Sequence, residues 1–394
     1  MRDFTYHVPT EVVFGQSAEG KLTELVQKYG GHKLMIVYGG GSVVRSGLLG
    51  RVEDALTKAG VGYCLFGGVQ PNPSLEYARE GVQKAIAEAV DMLLAVGGGS
   101  SIDTAKAIAH GAASPETDIW AYFAQEKQVC KSLPVGVVLT LPATGSETSD
   151  SAVLTNKATG EKRGLGTQFN RPRFAILNPA YAATLPAFQV GCGVVDIMMH
   201  TMDRYFNANW DNETSDELAE ALLRVVIRNG RLVLEDAANY HAMSEIMWCG
   251  SLSHNDLTGA GGNRDFSPHK LGHELSGKFN VAHGASLSAI WCHWATRVCR
   301  HTPERFARFA KNVWGLASTG DAMEDGLAGI EATRAYFKSL HMPTNFTELG
   351  IGLQSDEVLD DLARRCSLNK TFSIGTLYPM DYEEIRATYA DANQ

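Results

Sequence analysis

No two cysteines in this sequence have the C-x-x-C spacing of a zinc knuckle. The seven that occur, Cys64, Cys130, Cys192, Cys249, Cys292, Cys299 and Cys366, are scattered and odd in number. That argues for free thiols in a reducing compartment rather than a disulfide framework. Any metal here must be held by histidine and carboxylate. No apolar run reaches the roughly 20 residues needed to span a bilayer. The opening MRDFTYHVPTEVVFG has no apolar signal-peptide core, so a cytoplasmic protein without a membrane partner is expected. Lysine/arginine tracts are missing too. With 35 basic and 44 acidic residues the formal net charge is -9, the wrong sign for a phosphate backbone, and nucleic acid is not an expected partner. Neither internal repeat nor low-complexity tail is present.

What is there is an ordinary globular composition: 394 residues, 44% hydrophobic, 20% charged and 40 glycines. This is enough chain for two domains with proper cores. Up to about residue 185 the runs KLMIVYG (33–39), YCLFGG (63–68), DMLLAVGGG (91–99) and PVGVVLTLP (134–142) read as buried strands. The helical patterns GLLGRVEDALTKAG and SLEYAREGVQKAIAEA lie between them, which predicts a parallel sheet covered on both faces. From 186 to 394 the pattern is helical throughout, as in ETSDELAEALLRVVIRNGRLVLED, TPERFARFAKNVWG, EDGLAGIEATRAYFKSLH and SDEVLDDLARRCSL. The expected fold is an α/β Rossmann-like domain over 1–185 and an all-helical domain over 186–394.

Two strand ends carry three glycines each: Gly39, Gly40 and Gly41 in VYGGGS, and Gly97, Gly98 and Gly99 in AVGGGSSIDTAKAIA. Glycine permits a tight turn and lets backbone approach a ligand closely, so all six are candidate cofactor contacts. The helix opening at Ser100 and Ser101, with Asp103 on its first turns, offers free N–H groups to a pyrophosphate. Neither turn fits G-x-G-x-x-G or a P-loop, so each alone is equally a tight βα turn. An acid at the first strand end would hold a ribose diol. Here Ser42 and Arg45 stand instead, which suits a 2'-phosphate and favours NADP(H) over NAD(H). Thr140, Thr144, Ser146 and Ser149, in TLPATGSETSDS, can hydrogen-bond a diphosphate or a nicotinamide amide. Lys162 can reach a ribose hydroxyl or phosphate.

The remaining signal is histidine. Asp196 and His200, in GCGVVDIMMH, are one helical turn apart in an apolar segment. Either they form a buried hydrogen-bonded pair or they share a metal. HKLGHELSGKFNVAHG adds His269, His273 and His283. One carboxylate and three imidazoles make a sound site for a divalent first-row metal. Five candidates exist for four places, and spacing alone does not say which histidine is left over. Phe169, Trp248 and Phe266 are candidate pocket walls, with ordinary core packing the plainer expectation.

YGGGSV, GGGSSIDTAKAIA, LPATGSE, LNPAYAATLPAFQVGCGVVDIMMH and HKLGHELSGKFNVAHG, in this order, resemble the iron-containing (group III) alcohol dehydrogenase family. Within it, the butanol dehydrogenase and broad aldehyde reductase branch is nearest. The resemblance implies a dehydroquinate synthase-like architecture and a metal held by Asp196, His200, His269 and His283. It makes His273 the non-liganding histidine near nicotinamide and substrate. It places the pyrophosphate at Gly97–Gly99 with Ser100. It associates the turn at Gly39–Gly41, Ser42 and Arg45 with the NADP-using branch, since the NAD-using branch commonly has aspartate near Gly40. The implied reaction is reversible hydride transfer between NADP(H) and an aldehyde/primary alcohol pair. The ion is Fe(II) or Zn, with Mn, Co or Ni as further options, and the assembly is a homodimer.

The chain departs from the family pattern at Asn178, where an acid is usual before Pro179, and at Asp203, where glutamate is usual. Both departures imply altered local hydrogen bonding with metal capacity kept. Two alternatives stand beside this. One is a relative acting on a phosphorylated or polyol substrate, of glycerol dehydrogenase, glycerol-1-phosphate dehydrogenase or dehydroquinate synthase type. It asks for basic groups near the histidines, where Lys270 and Lys278 are available. The other is a non-catalytic nucleotide-binding protein with a structural metal.

Overall fold

Eight strands form in the first half of the chain: β1 (Glu11–Phe14), β2 (Lys33–Gly39), β3 (Gly62–Val69), β4 (Met92–Gly97), β5 (Val135–Leu139), β6 (Ser151–Asn156), β7 (Glu161–Gly166) and β8 (Phe174–Leu177). The structure, a computed structural model, describes residues 1–394. Six strands pair in parallel in the order β1-β8-β5-β4-β2-β3, while β6 and β7 form a separate antiparallel hairpin. Leu34 to Val37, all of β4, and all of β5 and β8 are buried. Burial on both faces is why these strands read as continuous apolar runs and not as alternating ones. One core cluster gathers Leu34, Ile36, Leu94 and Val96 against Leu25, Val26, Val52 and Leu56. A second joins Leu75, Ala78, Val82 and Ala107 to Ala152, Leu154 and Leu165 of the hairpin.

The strand order contains the feature that matters for function. From β2 the chain moves outward to β3, then returns to pair β4 on the other side of β2. Connections therefore diverge between β2 and β4, leaving a crevice at their carboxyl ends where ligands of such sheets lodge. Both triple-glycine turns sit at those two ends.

The chain divides into two compact units, His7–Thr184 and Leu185–Gln394 together with Met1–Tyr6. The second unit holds nine α-helices and no strand. Its interior is aromatic: Phe206 stacks on Phe306 with ring centroids 4.5 Å apart, and Trp291, Trp294 and Phe309 surround them. A buried Arg305 donates to Asp216 Oδ2 at 2.7 Å. Helix Ala187–Tyr205 runs through this interior, buried along nearly all its length from Val190 onward. Helix Ser267–Phe279 starts where the Asp265 carboxylate accepts from Ser267 N at 3.0 Å, with Pro268 in its first turn, a position that suits proline. All seven cysteines are free thiols. No helix is long and apolar enough to cross a membrane.

Candidate metal centre

Three helices meet at Asp196. It shares a face of helix Ala187–Tyr205 with His200, four residues on, and with Asp203, seven residues on; that spacing follows from 3.6 residues per turn. His269 comes from helix Ser267–Phe279, and His283 is the first residue of helix His283–Cys299. His200 Nδ1, His269 Nε2 and His283 Nε2 each lie 3.6 Å from Asp196 Oδ1. That is too long for a hydrogen bond. It is close to the spacing of roughly 3.3–3.6 Å between donors that share one tetrahedral ion at about 2.0–2.2 Å.

Burial sharpens the argument. Asp196 Oδ1, His200 Nδ1 and His269 Nε2 are all buried with no hydrogen-bond partner. Three polar atoms so placed are costly unless a cation lies among them. Asp196, His200 and His269 form a buried divalent-metal site, and His283 presents a nitrogen at the same distance.

Asp203, which the sequence marked only as a departure from pattern, accepts a short hydrogen bond from His269 Nδ1. This fixes the tautomer that turns Nε2 toward Asp196, the usual carboxylate–imidazole–metal arrangement. Burial alone lowers His269, but the Asp203 and Asp196 carboxylates outweigh it and raise the group to about 9. Burial raises Asp203. His200 is pushed well below the ordinary histidine value by burial, with the His254 and His269 rings adding to the effect; a neutral imidazole is the form that binds metal.

His273, one turn beyond His269, has its ring 6.1 Å from that of His269 and 5.3 Å from that of His283. His254, which sequence reasoning left out, has its ring 4.0 Å from that of His200. Phe266 lies 5.3 Å from His269 by ring centroid. Core packing was the plainer expectation for Phe169 and Trp248. Each is instead 42% exposed, because Phe169 sits in a short turn after the hairpin and Trp248 on the outer face of its helix. The basic groups near the histidines are engaged: Lys278 pairs with Asp361 at 2.6 Å and Lys270 lies over the Phe372 ring at 4.9 Å.

In the α/β unit the two glycine turns come together. A side chain at Gly39 would sit 3.9 Å from Ser101 Oγ. One at Gly99 would strike Thr144 at 2.5 Å, and one at Gly41 would strike the Arg45 guanidinium at 2.5 Å. Gly40 differs from Gly41 beside it. It is exposed, a Cβ there would meet nothing within 4 Å, and its φ lies outside the left-handed region. Neither packing nor backbone conformation in the protein itself therefore calls for glycine at that position. Gly98 caps helix Gly99–Ala113 without any side-chain hydrogen bond to its first N–H groups. Thr140 N donates to Gly97 O at 3.0 Å, and Thr144 Oγ1 accepts from Ser146 N at 3.2 Å. Ser42 and Arg45 are exposed and Ser100 is half-buried beside the turn. Lys162 donates to Asn72 Oδ1 at 3.0 Å.

Asp103 and Ser149 are committed to the protein's own interior. Asp103 accepts from Ser146 Oγ at 2.6 Å and Val153 N at 3.0 Å. Ser149 Oγ accepts from Ser151 N at 3.3 Å. Between them a buried Lys106 donates to Ser146 O and Oγ, each at 2.8 Å, and to Ser151 O at 2.7 Å. Burial lowers Lys106 to about 8 against the pull of Asp103.

Residues 9–179 match the model of the family described as iron-containing alcohol dehydrogenase, and residues 191–393 match that family's C-terminal model. The chain belongs to the iron-containing alcohol dehydrogenase family. The chain is 36% identical over 386 residues to NADH-dependent butanol dehydrogenase A of Clostridium acetobutylicum, covering 98% of each chain. It is 37% identical over 355 residues to the NADPH-dependent aldehyde reductase YqhD of Escherichia coli, covering 89% of this chain and 90% of that one. The solved structure of NADH-dependent butanol dehydrogenase A from Thermotoga maritima matches with a TM-score of 0.95 at 33% identity, over 100% of this chain and 99% of that one. The relatives' names divide between the two nicotinamide nucleotides.

Proposed function

We propose that this protein is a metal-dependent oxidoreductase that transfers hydride reversibly between a nicotinamide nucleotide, NADP(H) in preference to NAD(H), and an aldehyde/primary alcohol pair. The observation that carries this is the cluster of three imidazole nitrogens, each 3.6 Å from one buried carboxylate oxygen, in a chain that matches butanol dehydrogenases and an aldehyde reductase over nearly its full length.

Asp196, His200, His269 and His283 hold the ion, Fe(II) or Zn. When bound it supplies Lewis acidity toward a carbonyl or alcohol oxygen. Asp203 keeps His269 in the liganding tautomer. His273 takes up the hydroxyl proton at an imidazole nitrogen during oxidation and returns it during reduction. The nicotinamide supplies the hydride, and the protein supplies its placement. Gly97–Gly99, Ser100 and Ser101 receive the diphosphate at the open helix start. Thr140, Thr144 and Lys162 hold the nicotinamide side, while Asp103 and Ser149 shape that segment from inside. Gly39 and Gly41 carry the chain past the adenosine ribose, and Ser42 and Arg45 receive the 2'-phosphate. Gly40 contributes by leaving space and by placing no carboxylate against that phosphate. The engaged state of Lys270 and Lys278 favours an uncharged substrate over a phosphorylated one. A homodimer is proposed as well, supported by β1, an edge strand paired only to β8, since open edges recruit a partner.

The test is to strip the protein of metal and restore Fe(II), Zn(II) or Mn(II) separately under anaerobic conditions. Butanal reduction is then followed with NADPH and with NADH, and mass is measured by light scattering. Metal-dependent turnover favouring NADPH is expected. Metal-dependent turnover favouring NADH would overturn the roles of Gly40, Ser42 and Arg45 alone. A folded, metal-loaded protein that turns over no aldehyde would overturn the substrate class.

A further inference from the structure

We propose that His254 and Phe266 are positioning residues of the metal centre, closing a ring of four aromatic side chains that holds the His200 and His269 imidazoles in their liganding orientation. The proposal rests on the metal centre described above. The four rings follow one another: His200 to His254 at 4.0 Å between centroids, His254 to Phe266 at 6.1 Å, Phe266 to His269 at 5.3 Å, and His269 back to His200 at 4.5 Å. Two members are metal ligands. The other two bracket a single loop, His254 ending helix Tyr240–Ser253 and Phe266 preceding helix Ser267–Phe279.

The two ligands differ in what fixes them. His269 is oriented by its hydrogen bond to Asp203. His200 turns Nδ1 toward Asp196 Oδ1 at 3.6 Å and has no carboxylate bonded behind it as Asp203 is behind His269; the closest ring to it is that of His254. Offset and tilted ring contacts at such distances are attractive beyond the area they bury.

The loop is tied down in a way that serves this placement. Phe266 takes φ +57°, a left-handed conformation in which a bulky side chain is an outlier and which persists where surroundings over-determine it. Those surroundings include Arg204, whose guanidinium lies 4.9 Å from the Phe266 ring centroid. Arg204 also reaches Asp256 Oδ1 at 3.4 Å, and Arg264 pairs with the same oxygen at 2.6 Å. Arg204 stands on the helix that carries Asp196 and His200. Helix, loop and the Phe266 ring are thus joined through one cation.

The experiment loads the full-length protein with Zn(II) and measures its rate of release to a chromogenic chelator, with the visible spectrum of the Co(II) form as a second readout. His254→Leu and Phe266→Leu keep volume and remove the ring, His254→Phe keeps the ring, and Asp196→Ala removes a ligand. Release about 10–100-fold faster is expected for the two leucine variants, the usual cost of losing support around a ligand. A changed Co(II) spectrum should accompany it, with His254→Phe within about three-fold of wild type. Wild-type release from a folded His254→Leu or Phe266→Leu would overturn the proposal. So would His254→Phe releasing as fast as His254→Leu, because the nitrogen and not the ring would then be what matters. If one leucine variant does not fold, the other decides by the same criterion. If Asp196→Ala retains Zn(II) as the wild type does, the metal centre itself is wrong, and the supporting ring falls with it.

Discussion

Gly284→Ala should damage the metal centre through a contact that involves no ligand. Gly284 follows His283 at the start of helix His283–Cys299, and its backbone lies against helix Ala187–Tyr205. A Cβ there would stand 2.3 Å from Cys192 O and 2.7 Å from Cys192 Cα. Both obstacles are main chain, so no side-chain rotation relieves them. Restoring ordinary contact at roughly 3.5 Å requires the two helices to part by about 1 Å. Helix propensity by itself would make alanine better than glycine here by about 1 kcal/mol. Overpacking opposes it with about 1–3 kcal/mol, so the sign of the change reports which effect governs. Cys192 is one turn from Asp196, and His283 Nε2 is now 3.6 Å from Asp196 Oδ1. Opening the helices therefore widens the donor set itself. The assay pairs thermal melting with Zn(II) affinity by competition. Net of the propensity gain the cost is up to about 2 kcal/mol, so we expect Tm lower by up to about 8 °C, at roughly 2–4 °C per kcal/mol for a unit of this size, and affinity at least about ten-fold weaker. A variant with raised or unchanged Tm and wild-type affinity would refute the claim that this contact sets the position of His283.

Three further outcomes are expected. Asp203→Asn removes the charge that orients His269 and should weaken metal binding about 10–100-fold, or about 1.4–2.7 kcal/mol, in the same competition assay. Arg45→Ala should raise the KM for NADPH by about ten-fold or more, the worth of one charge-assisted hydrogen bond, and leave that for NADH unchanged; equal effects on both would remove the 2'-phosphate role. His110, hydrogen-bonded to Ser132 Oγ at 2.9 Å and Asn170 Oδ1 at 2.8 Å, is lowered by burial from 6.5 to about 4. A depressed folded value gives stability that is complete above the unfolded value and lost as pH falls through the folded one. The Tm advantage of wild type over His110→Gln should accordingly shrink between pH 6.5 and 4, by about 3 kcal/mol in stability; a constant gap would count against a neutral buried imidazole.

Strands β2, β4 and β5 were legible because burial on both faces writes an unbroken apolar run into the sequence. The four-residue β1 and β8 were not, since so short a run is decided by its sheet neighbours. Helix Tyr240–Ser253 lies in the segment expected to be helical, but its bounds carry no signature because its apolar residues have no single face. Asp196 and His200 could be paired from one helical turn, and His269 with His273 likewise. Asp203 extends the Asp196/His200 face by one more turn, a signal present in the spacing but visible as function only once His269 stands opposite. His254 had no such signal, because its place beside His200 depends on the path of a loop held by Arg204 and by a left-handed Phe266. The glycine turns were expected to make room for a ligand. The structure adds a second reason at Gly99, where Thr144 of the protein itself occupies the space a Cβ would need, whereas at Gly41 only the tip of the exposed Arg45 side chain would have to give way. Gly40 has no such neighbour; three glycines in a row look alike in sequence, although only contacts made elsewhere in the fold decide which of them are obligatory. Asp103 and Ser149 have the chemistry of ligand contacts, and their side chains also bond within the chain, Asp103 to Ser146 and Val153 and Ser149 to Ser151, pairings that composition does not encode.

The seven cysteines form no bridge, yet the loaded protein is not without a cross-link. His200 and His269 come from separate helices, so an ion held by both closes a loop of roughly 70 residues and restricts the unfolded chain much as a disulfide of that span would. It is a staple that a chelator can open and that a supply of metal can close again. The lifetime of the folded helical unit in a cell thereby becomes a function of metal availability, well before any question of turnover arises.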